Sequence, residues 1–295
     1  MRAPDLTIIV VSFNSRATIA ACLDALQHQT VVGFRTLVID SSSDGTAELV
    51  ARDYPDIELL HSAKRLFPGD ARNLGMRQVT TPLAGFVDAD CVANHDWVER
   101  VVAAHDAADW IIGGSVGVAN PESIAGWASY FCEFSGWLPR GAVRQMADIP
   151  TCCLSFKRQA FEQFGPFLEG GYCSDTLFNW RATAGGHAPL FVPRIHVRHR
   201  NPVRLGAILR KLRMHGEAFG RMRVRHHQWG PPMCLARAAS WILLPPWLWL
   251  RTAWRVLATP DYRWPFLSAT PLLCAALTCW CWGEAVSYWS GRERT

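Results

Sequence analysis

The chain reads as an α/β protein, a mostly parallel central sheet flanked by helices, and three observations predict it. Across residues 1–200, short β-branched runs alternate with stretches of helical periodicity, the pattern of layered α/β folds. Acidic residues close two of the apolar runs, at Asp40 and at Asp88-Ala89-Asp90, and open α/β sheets bind ligands at the carboxyl ends of their strands. Beyond residue 230 the composition turns apolar and Trp-rich, marking a separate region.

The elements follow from local pattern. Residues 6–12, LTIIVVS, form the first strand. A helix over 16–29 carries Ile19, Cys22, Leu23 and Leu26 on one face. The second strand, 36–39, ends at Asp40, and the Ser/Asp/Gly turn 41–45 hands over to a helix at 46–53. A short strand at 57–60, a helix at 69–78 and a buried strand at 82–87 lead to Asp88. Trp97, Val98, Val101 and Val102 make 95–105 an amphipathic helix, and 110–117 reads as a strand. The Gly- and aromatic-rich stretch 120–149 is expected to cover the cleft. A strand at 151–156, a helix at 158–164, a helix at 174–184 closed by Gly185-Gly186, and a final strand at 190–197 complete the series.

The net charge of +5 is unevenly placed: between Arg194 and Trp229 ten Lys/Arg face a single acid, Glu217. This segment lies directly before apolar sequence and lacks a zinc or aromatic-interleaved motif, which favours anionic lipid headgroups over nucleic acid. Ten Cys without a CxxC or a spaced framework fit a reducing compartment. Met1-Arg2-Ala3-Pro4-Asp5 runs straight into the first strand, so no secretory leader is expected. Residues 238–250 are uncharged but broken by Pro245-Pro246, which suits a re-entrant or interfacial helix. Residues 264–283, 20 without a charge between Arg263 and Glu284, match a bilayer crossing, with Trp264, Trp280, Trp282 and Trp289 as an interfacial belt. The tail Arg292-Glu293-Arg294 then lies on either side, depending on whether one or both segments cross. Three regions are expected: an α/β domain over 1–200, a basic juxtamembrane helix over 201–230 and a membrane-associated region over 231–295.

Two short carboxylates at i and i+2 on a strand end suit Mg²⁺ or Mn²⁺, which keeps positions for phosphate oxygens. Asp40 is placed to accept from a base N–H or a ribose hydroxyl, or to make an Asx turn. Asp44 is expected to cap the helix that follows it. Arg72 is a fixed cation for nucleotide or phosphate, or else an ion-pair partner of Asp70. Asn73 is expected to satisfy backbone groups in the cleft wall.

Read together, these segments resemble an inverting family 2 glycosyltransferase of GT-A fold, over about residues 5–200. The pieces are Thr7-Ile8-Ile9-Val10-Val11-Ser12-Phe13-Asn14, Val38-Ile39-Asp40-Ser41-Ser42-Ser43-Asp44-Gly45-Thr46, Gly69-Asp70-Ala71-Arg72-Asn73-Leu74-Gly75 and Phe86-Val87-Asp88-Ala89-Asp90, in the family's order. Gly165-Pro166-Phe167-Leu168-Glu169 followed by Ser174-Asp175-Thr176-Leu177 resembles the family's Gly-x-Phe-Asp-Glu and Glu-Asp-x-x-Leu elements, with Ser174 where the Glu is usual. The resemblance implies donor contacts from Ser12, Asn14, Asp40, Arg72 and Asp88. It implies a Mg²⁺ or Mn²⁺ ion held by Asp90 and His199, with His196 as the alternative. Asp175 is the implied general base, able to serve also as helix N-cap, and Glu169 is the fallback. The implied partners are a nucleoside-diphosphate-sugar, UDP being the family's commonest nucleotide, a glycan or lipid-linked acceptor, and membrane lipid, with the catalytic domain on the cytoplasmic face of the inner membrane. Nucleic acid is not an expected partner.

Two other enzyme classes fit less well. A nucleotidyltransferase would favour a Gly-rich, basic first loop, and a Rossmann oxidoreductase a GxGxxG after the first strand; Ser12-Phe13-Asn14-Ser15-Arg16 is neither. The Ser174 departure leaves a non-catalytic nucleotide-sugar-binding or scaffold subunit as the alternative.

Overall fold

The computed structural model describes residues 5–290. Met1–Pro4 and the tail Arg292-Glu293-Arg294 lie outside the described residues. In chain order the regular elements are β1 (Leu6–Ser12), α1 (Ile19–Gln27), β2 (Arg35–Asp40), α2 (Thr46–Asp53), β3 (Glu58–His61), α3 (Pro68–Met76), β4 (Leu83–Asp88), β5 (Cys91–Ala93), α4 (Trp97–Ala104) and β6 (Ile111–Val118). They continue with α5 (Ile124–Phe134), β7 (Arg144–Gln145), β8 (Leu154–Lys157), α6 (Arg158–Phe164), α7 (Ser174–Ala184), β9 (Leu190–His199), α8 (Leu205–His227), α9 (Pro231–Ala239), α10 (Leu244–Leu257) and α11 (Pro260–Ser290). The described residues divide into two compact units, one from 5–119 and 139–200, the other from 120–138 and 201–290.

The first unit is built on a sheet of order β3-β2-β1-β4-β8-β6-β9-β5, with β7 added against β9. From β3 to β4 it is parallel, as expected of strands joined through helices. Its second half is mixed rather than parallel: β8 runs antiparallel to β4 and β6, and β5 and β7 antiparallel to β9. The link from β4 to β5 is only Ala89-Asp90, too short for a parallel crossover. Short β5 had no counterpart in the sequence reading. The strand expected from residue 151 starts at Leu154, because Thr151–Cys153 forms a 3₁₀ turn.

The buried faces of β1, β2 and β4 supply Ile8, Ile9, Val10, Val38, Ile39, Phe86 and Val87. An aromatic cluster then ties the later elements to this core. Phe86 meets Phe156 of β8 and Phe167, and Phe178 of α7 packs on both Phe156 and Phe167 with centroids 5.3 and 4.8 Å apart. Buried aromatic pairs add about 0.5–1.5 kcal/mol beyond their area. They hold the start of α7 in fixed relation to β4.

The second unit is helical. The stretch 120–149 contributes α5, and Asn120–Leu138 groups with the C-terminal helices. Its aromatics explain this: Phe131 packs on Phe266, and Tyr130 stacks on Tyr262, both of α11. Helices α8 and α11 approach closely through glycine. A Cβ on Gly216 would lie 2.1 Å from the Trp280 carbonyl, and one on Gly283 2.1 Å from that of Arg213. Gly216 and Gly220, one turn apart on α8, both lie against α11. By length and composition α11 is able to cross a membrane over Pro260–Trp289, and the pair Pro231–Ile242 and Leu244–Leu257 is bent by 66° at its break.

Candidate functional site

Parallel register brings Ser12, Asp40, His61 and Asp88 to one sheet edge. Ser12 lies opposite Asp40, Asp40 opposite His61, and Val11 opposite Asp88. The Ser12 hydroxyl is buried with no hydrogen-bond partner among the described residues. Asn14 is exposed and adopts a left-handed φ of 51°, which Asn tolerates better than most residues. Its backbone N–H donates to Ser42 Oγ at 2.7 Å and its Oδ1 accepts from Ser43 N at 3.0 Å, tying the two leading loops together.

Asp40 makes the Asx turn that was one of its two expected roles. It is fully buried and accepts from Ser42 N (3.0 Å), Ser42 Oγ (2.5 Å) and His61 Nδ1 (2.8 Å). Its local job is to stiffen the β2 tip; of the pair, His61 is the partly exposed member, with 40 % of its side chain accessible. The sequence reading missed His61, whose signal was its place at the end of β3. Asp44 accepts from Thr46 N at 3.1 Å at the start of α2, while the N-cap position itself is Gly45.

Helix α3 carries the cationic group. Gly69 makes its seat, since a Cβ there would lie 1.9 Å from the Leu168 carbonyl. Arg72 is buried, its Nη1 donating to Ser174 Oγ at 3.1 Å and its Nη2 to Asp88 Oδ1 at 3.2 Å. Its Nε has no partner among the described residues. The alternative pairing with Asp70 does not form; Asp70 accepts from Phe67 N at 3.0 Å. Burial pushes the Asp88 carboxyl above its ordinary range, and Arg72 beside it pulls the other way. Asn73 satisfies backbone groups as expected, donating to the Phe167 carbonyl at 3.0 Å and accepting from Phe167 N at 2.9 Å. It also donates to Glu169 Oε1 at 2.9 Å, which engages the fallback base in holding the wall.

Asp90 and His199 meet across β5 and β9. Cys91 registers with His199, and His199 Nε2 stands 3.3 Å from Asp90 Oδ2. Ligand atoms of Asp90, Cys91 and His199 all lie within 4.8 Å of one another. A carboxylate beside an imidazole fits a divalent first-row ion such as Mn²⁺. Cys91 was not singled out from sequence; burial raises its thiol well above its ordinary value. His196, the alternative, bonds Ser115 Oγ through Nδ1 at 2.8 Å, and burial with nearby Arg198 lowers its pKa to about 4.

Helix α7 begins after Cys173, which has a left-handed φ of 64° and makes no side-chain cap. Asp175 is therefore not the N-cap but a half-buried member of the first turn. Its Oδ1 accepts from Thr176 N at 3.0 Å, and Thr151 approaches Oδ2 with N at 3.4 Å and Oγ1 at 3.5 Å. Through Arg72, which touches both Ser174 and Asp88, the start of α7 connects to the end of β4. A second carboxylate that the sequence reading did not single out, Asp148, also reaches α7.

Comparison with known proteins bears on this geometry. The family model "Glycosyl transferase family 2" matches residues 7–164. The glycosyltransferase AglE of Haloferax volcanii is 27% identical over 199 residues, 64% of this chain and 64% of that protein. The pre-mycofactocin glycosyltransferase of Mycobacterium tuberculosis is 23% identical over 257 residues, 81% of this chain and 52% of that protein. The chain thus spans 64% and 52% of the length of these relatives. Among solved structures, the mannosyltransferase PcManGT of Pyrobaculum calidifontis, in complex with GDP-Man and Mn²⁺, superposes with a TM-score of 0.57 at 21% identity, covering 94% of this chain and 76% of that one.

Proposed function

Because this chain belongs to glycosyl transferase family 2, we propose that it moves a sugar from a nucleoside diphosphate to a hydroxyl of a glycan acceptor with inversion at the anomeric carbon. The observation that carries the reading is Arg72, whose guanidinium joins the Asp88 carboxylate to the first turn of α7, where Asp175 stands. Donor and base machinery are thereby linked by one buried cation.

Asp90 and His199 are the residues to hold a divalent cation. When bound, that ion supplies a Lewis acid to the leaving diphosphate. Ser12 Oγ and Arg72 Nε, both buried and without partners among the described residues, are the donors left for the nucleotide. His61, held by Asp40, faces the same edge. Asp175 takes the proton of the attacking hydroxyl from the side opposite the leaving group, and this arrangement inverts configuration. UDP remains the first nucleotide to try, and GDP the second, since GDP-Man is the ligand named for PcManGT.

The test is a panel of UDP- and GDP-sugars with Mn²⁺, reading release of nucleoside diphosphate with and without glycan acceptors. Acceptor-dependent release is expected with at least one donor. Donor binding without release from any member would favour the scaffold reading, for which Ser174 is the motive.

The acceptor is proposed to be lipid-linked and the protein membrane-attached, with its catalytic unit on the cytoplasmic face, where nucleotide sugars are made. The helical unit supports this with outward apolar residues: Leu243 is 73% exposed, Leu250 60%, Trp254 86% and Trp264 76%. Deleting everything after Trp229 is a poor test, because α5 would lose its partners on α11. In the full chain, Leu243→Ser and Leu250→Ser should each weaken co-sedimentation with anionic vesicles by about tenfold. Undiminished binding of the double variant would remove this surface from membrane contact.

A further inference from the structure

We propose that Asp148 is the positioning residue for Asp175, reaching it from a segment distant in sequence; the inference rests on the transferase reading above. Residues Asp148-Ile149-Pro150-Thr151 grip the first turns of α7 at several points. Asp148 Oδ2 accepts from Thr176 Oγ1 at 3.0 Å, and its Oδ1 accepts from Asn179 Nδ2 at 3.0 Å. The Ile149 carbonyl accepts from the same Asn179 amide at 2.7 Å, and Thr151 approaches the Asp175 carboxylate itself.

Position 174 no longer has a carboxylate. Ser174 is buried and its hydroxyl is committed to Arg72. A negative group near the amino end of α7 is favoured by the helix dipole, and Asp148 supplies one without lengthening the side chain beside the base. Thr176 and Asn179 are one residue and one turn from Asp175, so fixing them fixes the rotation of the turn that aims its carboxylate.

The charge matters as well as the grip. Asp148 faces the Asp175 carboxyl group and the neutral donors Thr176 and Asn179. Burial first, and the Asp175 charge second, raise the Asp148 pKa to about 7. Asp148 therefore takes up a proton at a higher pH than an ordinary carboxylate does. The ionised form accepts both hydrogen bonds and keeps a negative charge beside the base; falling pH removes that charge.

The experiment is steady-state kinetics of sugar transfer on the full chain, over a pH series, for the wild type and Asp148→Ala, Asp148→Asn and Thr176→Val. Asp148→Ala should lower kcat by about 10²-fold, the scale of a misplaced catalytic group, with the donor KM little changed. Asp148→Asn keeps the size and one acceptor, so it should retain more activity than Asp148→Ala, and the acidic limb of its rate profile should move to lower pH. Thr176→Val should lower kcat and, by removing a hydrogen bond to the Asp148 carboxylate, move that limb to higher pH. Should Asp148→Ala fail to fold, Asp148→Asn and Thr176→Val carry the same test. Wild-type kcat and an unmoved acidic limb in Asp148→Asn, alongside an active wild type, overturn the role of Asp148. An inactive wild-type chain with every donor overturns the transferase reading instead.

Discussion

Asp175→Asn is expected to abolish sugar transfer while leaving donor binding intact. The substitution keeps the shape of the side chain and its acceptance from Thr176 N, but an amide does not take a proton. A positioned general base contributes about 10²- to 10⁴-fold, so kcat should fall by that factor. Donor dissociation, read by calorimetry with a nucleotide sugar and Mn²⁺, should change by no more than about twofold, the pattern of an interaction made only in the transition state. A variant that transfers at full rate would show that the proton goes elsewhere.

Asp90→Ala carries the second large effect. Asp90 and His199 face each other at 3.3 Å because β5 runs antiparallel to the end of β9, and neither holds a cation well alone. Removing the carboxylate should weaken Mn²⁺-dependent donor affinity by about 100-fold, at the upper end for disturbing a metal's surroundings. His199→Ala should do the same, and EDTA should bring the wild type to the level of both variants. Affinity that is the same in wild type and Asp90→Ala, with and without chelator, would take the ion out of donor binding. Cys91→Ser distinguishes the third member of the cluster. An unchanged Mn²⁺ response in that variant would leave Asp90 and His199 as the ligands, and a lost one would add the buried thiol to them.

Much of the first unit was legible because its signals are local. β1 spans Leu6–Ser12 and α2 spans Thr46–Asp53, as pattern and turn chemistry predict. Strand ends carrying Asp40 and Asp88 come to one edge because parallel register follows from strands joined by helices. Where the signal was short or the contact distant, the reading thinned. β5 is three residues long, below the length at which alternation is visible. The 120–149 stretch shows aromatics but not their partners, which lie on α11.

By itself the sequence determined the α/β class, the order of the motifs, the family and the apolar character of the C-terminal helices, since each is written in residue type and spacing along a continuous stretch. Tertiary structure alone decided that Asp40 is buried against His61, that His199 rather than His196 meets Asp90, that Arg72 turns to Asp88 and Ser174 rather than Asp70, and that Asp148 stands beside Asp175. The physical reason is that an ion pair or a shared hydrogen bond depends on separation in space to within an ångström or so, and residues far apart along the chain acquire that separation only when the core between them packs.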